Sequence, residues 1–551
     1  MPKMEIKINK LMAGGALLLA ATACTGDYLD INSNQAQPGD LTADGFALVS
    51  SMTNICSTVA PSDVNCTQFV DCLLGGTLGG YFSDGANFTT SYVRNNAPDN
   101  WTSVFMSDSK IISTLFTNIS MVEGYCETNG DIVPMAVAQI IKVAAMHRVT
   151  DCYGPIPYSA IGFEGAVKTP YDSQEEIYNK FFDELAEARQ ILLDNPDEAL
   201  SPLVDKVYSG VLSNWIRFAN SLQLRLALRI SYANPTLAKQ KAEEAINPAN
   251  GGIIETNEQN ATWKNYATST NSMRTAIMYN AHDSRPSAEI ACYLNGYKDP
   301  RTEKYLTESG LPNASYDTPE QFKNADGSWM TSPEGISCQY IGIRRGWQTF
   351  NTSWSVRFSD INIAGNTPAL WMNASEVCFL RAEGAAVFGW DMGGDAETFY
   401  NKGIQLSLED YGVGDAYAAY IADATSVPAQ FYDPTGLNPW NGTIPAVTIK
   451  WDETLDKEAK QQKIITQKWL ANWKLGNEAW ADYRRTGYPF LIPVAYNGSN
   501  VVDINRGPRR MPYPSAEYTD NLANVQKAVA DYLKGPDNLA TRVWWDCKPG
   551  L

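Results

Sequence analysis

Apolar residues recur with a helical period along much of this chain. Residues 173–192, SQEEIYNKFFDELAEARQIL, open on the capping pattern Ser173-x-x-Glu176 and then place Ile177, Phe181, Leu185, Ala188 and Leu192 on one stripe. That pattern predicts an amphipathic helix lying on a core. In 208–231 the stripe Trp215, Phe218, Leu222, Leu226 is joined by Leu224 and Leu228 on the opposite side. A helix apolar round most of its circumference is predicted to be buried between others. The same period predicts helices over 103–122, 133–151, 375–388, 394–411, 459–482 and 518–534, while strand-like runs are short and few.

Two stretches break this rhythm. Residues 247–370 are rich in Asn, Ser, Thr, Gly and Pro, with turn signals at Asn250-Gly251, Asp299-Pro300 and Asp326-Gly327, and a second long loop region spans 416–455. Connections inside compact domains commonly run about 4–6 residues, so segments this long predict functional loops. Helices in successive pairs suggest a bundle or solenoid, although no fixed-period self-similarity establishes a repeat.

The front of the chain reads differently. Lys3, Lys7 and Lys10 precede an apolar run from Leu11 to Ala21 and a small-residue end, the layout of an export signal. Crossing a hydrocarbon core takes roughly 20 residues of helix, more than this run supplies. Ala21-Thr22-Ala23-Cys24 looks like a bacterial lipobox, which would make Cys24 the lipidated first residue of the mature chain. Lipid there would tether a soluble body. An ordinary cleaved signal with an incidental cysteine is the alternative. Residues 1–23 are therefore read as a lipoprotein signal peptide.

Charge narrows the partners. The net charge of −18, spread widely along 551 residues, disfavours nucleic acid and anionic membrane surfaces. Nine cysteines remain besides Cys24, without a C-x-x-C pair, which removes zinc-ribbon and thioredoxin-like readings. Cys152 and Cys378 read as small core residues, and a disulfide within the group Cys56, Cys66, Cys72 and Cys126 stays open. Only His147 and His282 are present, and the chain has no H-E-x-x-H, G-x-S-x-G or Walker-type loop. His147 reads as structural, at a helix end where an imidazole favours carbonyls. Arg484 and Arg485 read as solvated arginines at a capped helix end rather than as an anion site. The chain is thus expected to be no enzyme and to need no cofactor; calcium would suit acidic loops such as 410–423, but no D-x-D-x-D-G spacing supports it.

Several stretches in order resemble one family. DYLDINSN (27–34) after the lipobox, MHRVTDCYGPIPYS (146–159), WIRFANSLQLRLALRIS (215–231), KDPR (298–301), ASEVCFLRAEGAAVFGW (374–390), NEAWADYRRTGYP (477–489), RMPYP (510–514) and NLANV (521–525) resemble the SusD/RagB family of outer-membrane nutrient-binding lipoproteins. The resemblance implies a mainly α fold, a right-handed scaffold of four tetratricopeptide-like helix pairs with long irregular, loop-rich insertions. It implies a single domain over 24–551, with an N-terminal helical half (24–246), an insertion (247–370) and a C-terminal helical half (371–551). It further implies an oligosaccharide ligand, a SusC-like TonB-dependent transporter as partner, and a lipid-anchored place at the outer-membrane cell surface. A peptide-binding lid on a similar transporter is the alternative, and a lipid-anchored glycosidase a more distant one.

A sugar presents apolar C–H faces and a rim of hydroxyls, so its site needs aromatic platforms beside polar groups. Residues 329–358 carry Trp329, Tyr340, Trp347, Phe350, Trp354 and Phe358, interleaved with Arg344, Arg345, Gln348, Asn351 and Arg357. An earlier group holds Tyr81, Phe82, Asp84 and Asn87, and a third holds Trp263 and Tyr266. The candidate ligand contacts are Tyr81, Phe82, Asp84, Asn87, Trp263, Tyr340, Arg344, Trp347, Phe350 and Trp354. The spacing of Trp347, Phe350, Trp354 and Phe358 is also that of a helical core stripe, the competing reading.

Overall fold

Helix starts follow their local caps in the computed structural model, which describes residues 43–85, 91–97, 111–161, 169–264, 270–279, 282–310, 321–348 and 355–551. Val49–Leu551 form one compact body, and of the first unit, Met1–Leu48, only the residues from 43 are described. The longer helices are α1 (Ala43–Val59), α2 (Ile111–Asn129), α3 (Val133–Tyr153), α4 (Gln174–Asp194), α5 (Leu212–Arg229), α6 (Pro235–Ala245), α7 (Ala288–Tyr297), α8 (Ala374–Glu383), α9 (Ala396–Asp410), α10 (Lys457–Ala471), α11 (Gly476–Thr486) and α12 (Leu522–Asp531). Ser173 and Glu176 form the predicted capping box of α4. Asn234, Asn373, Asp395 and Asp456 cap α6, α8, α9 and α10 by accepting backbone N–H bonds from the first turn.

From α2 to α6 each helix packs on the next, and α8 packs on α9 and α10. The two groups meet where α5 touches α8 and α11. Strands are short: β1 (Phe82–Asp84), β2 (Ala261–Trp263), β3 (Ser284–Pro286) and β4 (Ala369–Met372) form two antiparallel pairs, β1 with β3 and β2 with β4. These pairs stitch the loop-rich middle of the chain to the early loop and to the start of the second helical group. Where α11 crosses the π-helical turns Gln68–Gly76, the backbones touch, because a Cβ on Gly75 would lie 2.7 Å from the backbone nitrogen of Asn477. Only glycine admits that approach.

The centre is held by buried charge. Arg229 of α5 bridges Asp151 of α3 and Glu478 of α11. Arg225, one turn earlier, grips both oxygens of Glu376 on α8 at 2.8 Å. His147 Nε2 lies 3.0 Å from the Glu478 carboxylate and its Nδ1 3.1 Å from the Val143 carbonyl. Lys468 of α10 binds Asp482 at 2.8 Å, and Arg485 pairs with Glu383 at 2.7 and 2.8 Å and with Asp482 at 3.0 Å. The Trp545 indole donates to Asp151 at 2.7 Å. Five helices distant in sequence are thus joined by directional, charge-assisted bonds.

Several expectations change. Arg485 is only 1% exposed and ion-paired, and Arg484 is buried with its guanidinium 3.6 Å from the centre of the Trp480 ring, so neither is the solvated arginine expected. Helical periodicity could not show this, since the acids that neutralise them lie elsewhere in the sequence. The predicted helix 459–482 divides into α10 and α11 around Asn472–Leu475, where Lys474 takes a positive φ of 80°. Within 103–122, helix is described from Ile111 and extends to Asn129; 518–534 splits into Ser515–Asp520 and α12. The loop-rich middle also carries the short helix Ser272–Ile277 and α7. No disulfide joins any two of the nine described cysteines. Cys152 and Cys378 are buried as expected. No described helix is long and apolar enough to cross a membrane.

Burial alone would raise the Glu478 carboxyl, but Arg225, Arg229 and His147 hold it well below the usual range; Lys468 and Arg485 likewise lower Asp482 against its burial. A carboxyl lowered on folding contributes stability that is complete above its unfolded pKa of about 4 and is lost as pH falls toward the folded value. Urea midpoints are therefore expected to hold from pH 7 to 5 and to drop on acidification below about 4. Glu478→Ala, which leaves Arg229 with Asp151 alone and Arg225 with Glu376 alone and takes the partner from His147, is expected to cost about 3 kcal/mol at pH 7. An unchanged urea midpoint would contradict the network's role.

Candidate functional site

The segment 340–348 is positioned by its register against α7. Ile343 N donates to the Pro286 carbonyl at 2.9 Å and Ala288 N donates to the Ile343 carbonyl at 2.9 Å. In extended backbone successive side chains point to opposite faces, and the neighbouring arginines divide accordingly. Arg345 turns inward to Glu289 at 2.8 Å and to the Thr77 carbonyl at 3.1 Å. Arg344 turns the other way and donates to the carbonyls of Pro439 at 2.6 Å and Pro493 at 3.1 Å, while the Asn438 side chain donates to the Arg344 carbonyl at 3.0 Å. Burial lowers the Arg344 pKa from its ordinary value. Its guanidinium therefore staples two loops, 436–440 and 490–495, to the insertion.

The early loop joins the same place. Arg94 donates to the Trp347 carbonyl at 3.1 Å, Gly498 N donates to the Arg94 carbonyl at 2.7 Å, and Asn95 donates to Asn497 at 3.2 Å. Gly346, at φ +78°, lets this happen, since a Cβ there would lie 2.8 Å from the Val93 carbonyl oxygen. Four loops far apart in the sequence, 91–97, 340–348, 430–440 and 490–498, thus come together.

Aromatic side chains edge this junction. Phe431, Trp440 and Phe490 are half-buried on a small core of Ala288, Cys292, Ile444 and Ile492, with the Trp440 and Phe490 rings 6.0 Å apart and tilted by 30°. Tyr496 is 41% exposed. Tyr340 and Tyr432, both half-buried, line a cleft of about 370 Å³ together with Phe431, Gln430 and Asn295. Burial, aided by Glu303 and Glu308, pushes the Tyr340 hydroxyl up to about 12, so it is a neutral donor at physiological pH. Flat half-exposed rings beside amides and hydroxyls can hold the C–H face and hydroxyl rim of a sugar.

The predicted residues fall into three sets. Tyr340 and Arg344 lie at the junction. Trp347 lies beneath it, buried with Phe322, Cys338, Ile341, Ile343 and Phe358. Tyr81 and Phe82 are core residues in this structure: the Tyr81 hydroxyl donates to the Trp469 carbonyl at 2.6 Å, its ring stacks on Trp469 at 5.2 Å, and Phe82 packs edge-on against Trp473. Asp84 is buried in β1, and Trp263 is buried in β2 on the strand pair with β4. Large aromatics are most often interior, and a sequence gives no sign of which face they meet. Asn87, Phe350, Trp354 and Cys24 lie outside the described residues. Phe431, Tyr432, Trp440, Phe490 and Tyr496 are not among the predicted contacts but also edge the junction, and FYDPTGLNPWNG (431–442) carries three of them in the second long loop.

Nothing at the junction is arranged for histidine chemistry. His147 is bound to Val143 and Glu478, and His282 Nδ1 is bound to Asp360 at 2.7 Å. Among the described residues no group of three or more His, Cys, Asp or Glu is placed to hold a metal ion.

Comparison with known proteins gives a consistent pattern. The family model SusD-like, described as Susd and RagB outer membrane lipoprotein, matches residues 30–546. A SusD homologue from Bacteroides uniformis is similar with 49% identity over 91% of this chain and 100% of its own, at a TM-score of 0.84. A SusD homologue from Bacteroides ovatus shares 35% identity over 91% and 99%, TM-score 0.80. A chitin-binding SusD homologue from Flavobacterium johnsoniae shares 33% identity over 91% and 99%, TM-score 0.79. No match is found among curated proteins.

Tyr81→Ala is expected to lower unfolding stability by about 3–5 kcal/mol, the cost of emptying a large aromatic site, whereas Tyr81→Phe loses one hydrogen bond, about 1 kcal/mol. Denaturant midpoints distinguish the two, and a midpoint for Tyr81→Ala equal to wild type would show that the ring does not support the core.

Proposed function

This chain belongs to the SusD-like family of outer membrane lipoproteins, and from that premise we propose that it is a non-catalytic receptor for oligosaccharide at the cell surface. The carrying observation is the junction of four loops, which leaves Tyr340, Phe431, Tyr432, Trp440, Phe490 and Tyr496 half-buried or exposed around Arg344 and the amides of Gln430 and Asn295. Half-exposed rings give stacking area at little cost in side-chain entropy, and the polar groups between them fix orientation. The chitin-binding relative from Flavobacterium johnsoniae supports a carbohydrate as the ligand class.

The rest of the reading follows from the family and the front of the chain. Cleavage before Cys24 and acylation of its thiol would hold the body at the outer membrane. A SusC-like TonB-dependent transporter would then receive the captured glycan, with this chain as its lid. On this reading the ligand would leave chemically intact.

Calorimetry with plant, mucin and microbial oligosaccharides tests this directly. The mature chain is expected to bind at least one class, and Trp440→Ala and Tyr496→Ala are each expected to weaken that binding about tenfold or more with an unchanged melting temperature. Binding of peptides in place of every glycan, or affinity indifferent to both substitutions, would contradict the proposal.

A further inference from the structure

The four loops of the junction are poor in cations. Residues 91–97, 340–348, 430–440 and 490–498 contain neither lysine nor histidine, and their arginines are Arg94, Arg344 and Arg345. Each of the three is already engaged by the protein. Every side-chain nitrogen of Arg344 donates to a main-chain carbonyl, Nε to Pro493, Nη1 to Pro439 and Nη2 to Pro493 and Val494. Arg345 is buried against Glu289 and the carbonyls of Thr77 and Ile492, and Arg94 is buried with a bond to the Trp347 carbonyl. No arginine fork of these loops is turned toward a ligand.

The cleft of about 370 Å³ that Tyr340 and Tyr432 line continues this pattern. Its walls, among the described residues, are aliphatic, aromatic, thiol, hydroxyl and amide groups, with no carboxylate, ammonium, guanidinium or imidazole. The charges set around it are acids. Glu334 stands exposed on the turn between two wall residues, Ser332 and Ile336, whose backbones bond to each other at 2.8 Å. Glu308 is held beside Tyr340 by Gln339, which donates to it at 2.8 Å. Glu303 and Glu308 act on the Tyr340 hydroxyl, and Glu289 and Glu334 act on the Cys292 thiol. Of these four, Glu289 has its charge answered by Arg345.

A carboxylate or sulfate entering such a place sheds water without meeting a cation, and it does so among like charges. A sugar hydroxyl loses less hydration and can bond to the Tyr340 and Tyr432 hydroxyls. The rings do not make this distinction, because the C–H face of a uronic acid stacks as well as that of a neutral sugar.

We infer that the junction selects its glycan by charge, taking uncharged oligosaccharides and rejecting those whose bound units carry a carboxylate or a sulfate. The inference rests on the junction being the glycan site. Its selectivity comes from what the loops withhold, a free cation, and from the acids Glu303, Glu308 and Glu334 placed around the cleft.

Calorimetry in 50 mM NaCl, where charges are little screened, compares neutral hexamers of glucose, mannose, galactose and N-acetylglucosamine with hexagalacturonate, an alginate hexamer and a heparin hexasaccharide. At least one neutral hexamer is expected to bind, and every acidic one to bind at least tenfold more weakly, about 1.4 kcal/mol. Oxidising the best neutral hexamer at C6 to its uronate is expected to weaken it by the same factor. Glu303→Gln combined with Glu334→Gln is expected to narrow the gap between that matched pair threefold or more. An acidic hexamer bound as tightly as the best neutral one, or a gap unmoved by the double substitution, would overturn the charge selection and leave the glycan receptor standing. Binding of no hexamer of either kind would overturn both.

Discussion

An acid or a base buried away from water is tolerated only when its opposite is brought against it, and this protein brings several together at its centre. Asp151, Glu376, Glu383, Glu478 and Asp482 meet Arg225, Arg229, Lys468 and Arg485 across five helices. Desolvation offsets much of the attraction, so such a network contributes less to net stability than to uniqueness: any other packing of these helices would strand charges in an apolar interior. Here that specificity reading has a concrete basis, because each helix supplies ions that only its native neighbours can pair.

That arrangement explains why the family can be recognised at all. The stretches 146–159, 215–231, 374–390 and 477–489 supply His147 and Asp151, Arg225 and Arg229, Glu376 and Glu383, and Glu478, Asp482 and Arg485. What resembles other members is the inside of the body, where one changed charge would leave another unpaired. The loops of the four-loop junction carry no such network of buried ion pairs. They are joined to the frame by backbone pairing and by Arg344 and Arg345, whose guanidiniums mostly grip main-chain carbonyls, so the residues between them are free to vary in chemistry while the anchoring holds.

Legibility in the sequence divides along the same line. Helix α4, its capping box and the buried α5 could be read from a local period because local rules decide them. The burial of Arg484 and Arg485 could not, since it depends on Glu383, Asp151 and Trp545, up to several hundred residues away. Tyr81 and Trp347 looked like platforms because an aromatic in a glycine-rich loop reads the same whether it faces water or a core. Trp440 stands beside Phe431 and Tyr432 in the second long loop, where the same aromatic density can be read. Tyr340 and Arg344 lie at the four-loop junction, where Arg344 spends its donors on the loops themselves.

The frame is expected to stay fixed while its loops hold an unreacted sugar. A crystal structure of the chain with its best-binding oligosaccharide measures both at once. The expected result is an uncleaved glycan stacked against Tyr340, Trp440 or Tyr496, with the ion pairs of Arg229, Arg225 and Arg485 in place. A glycan lodged away from the four-loop junction, or one found cut at a glycosidic bond, would contradict it.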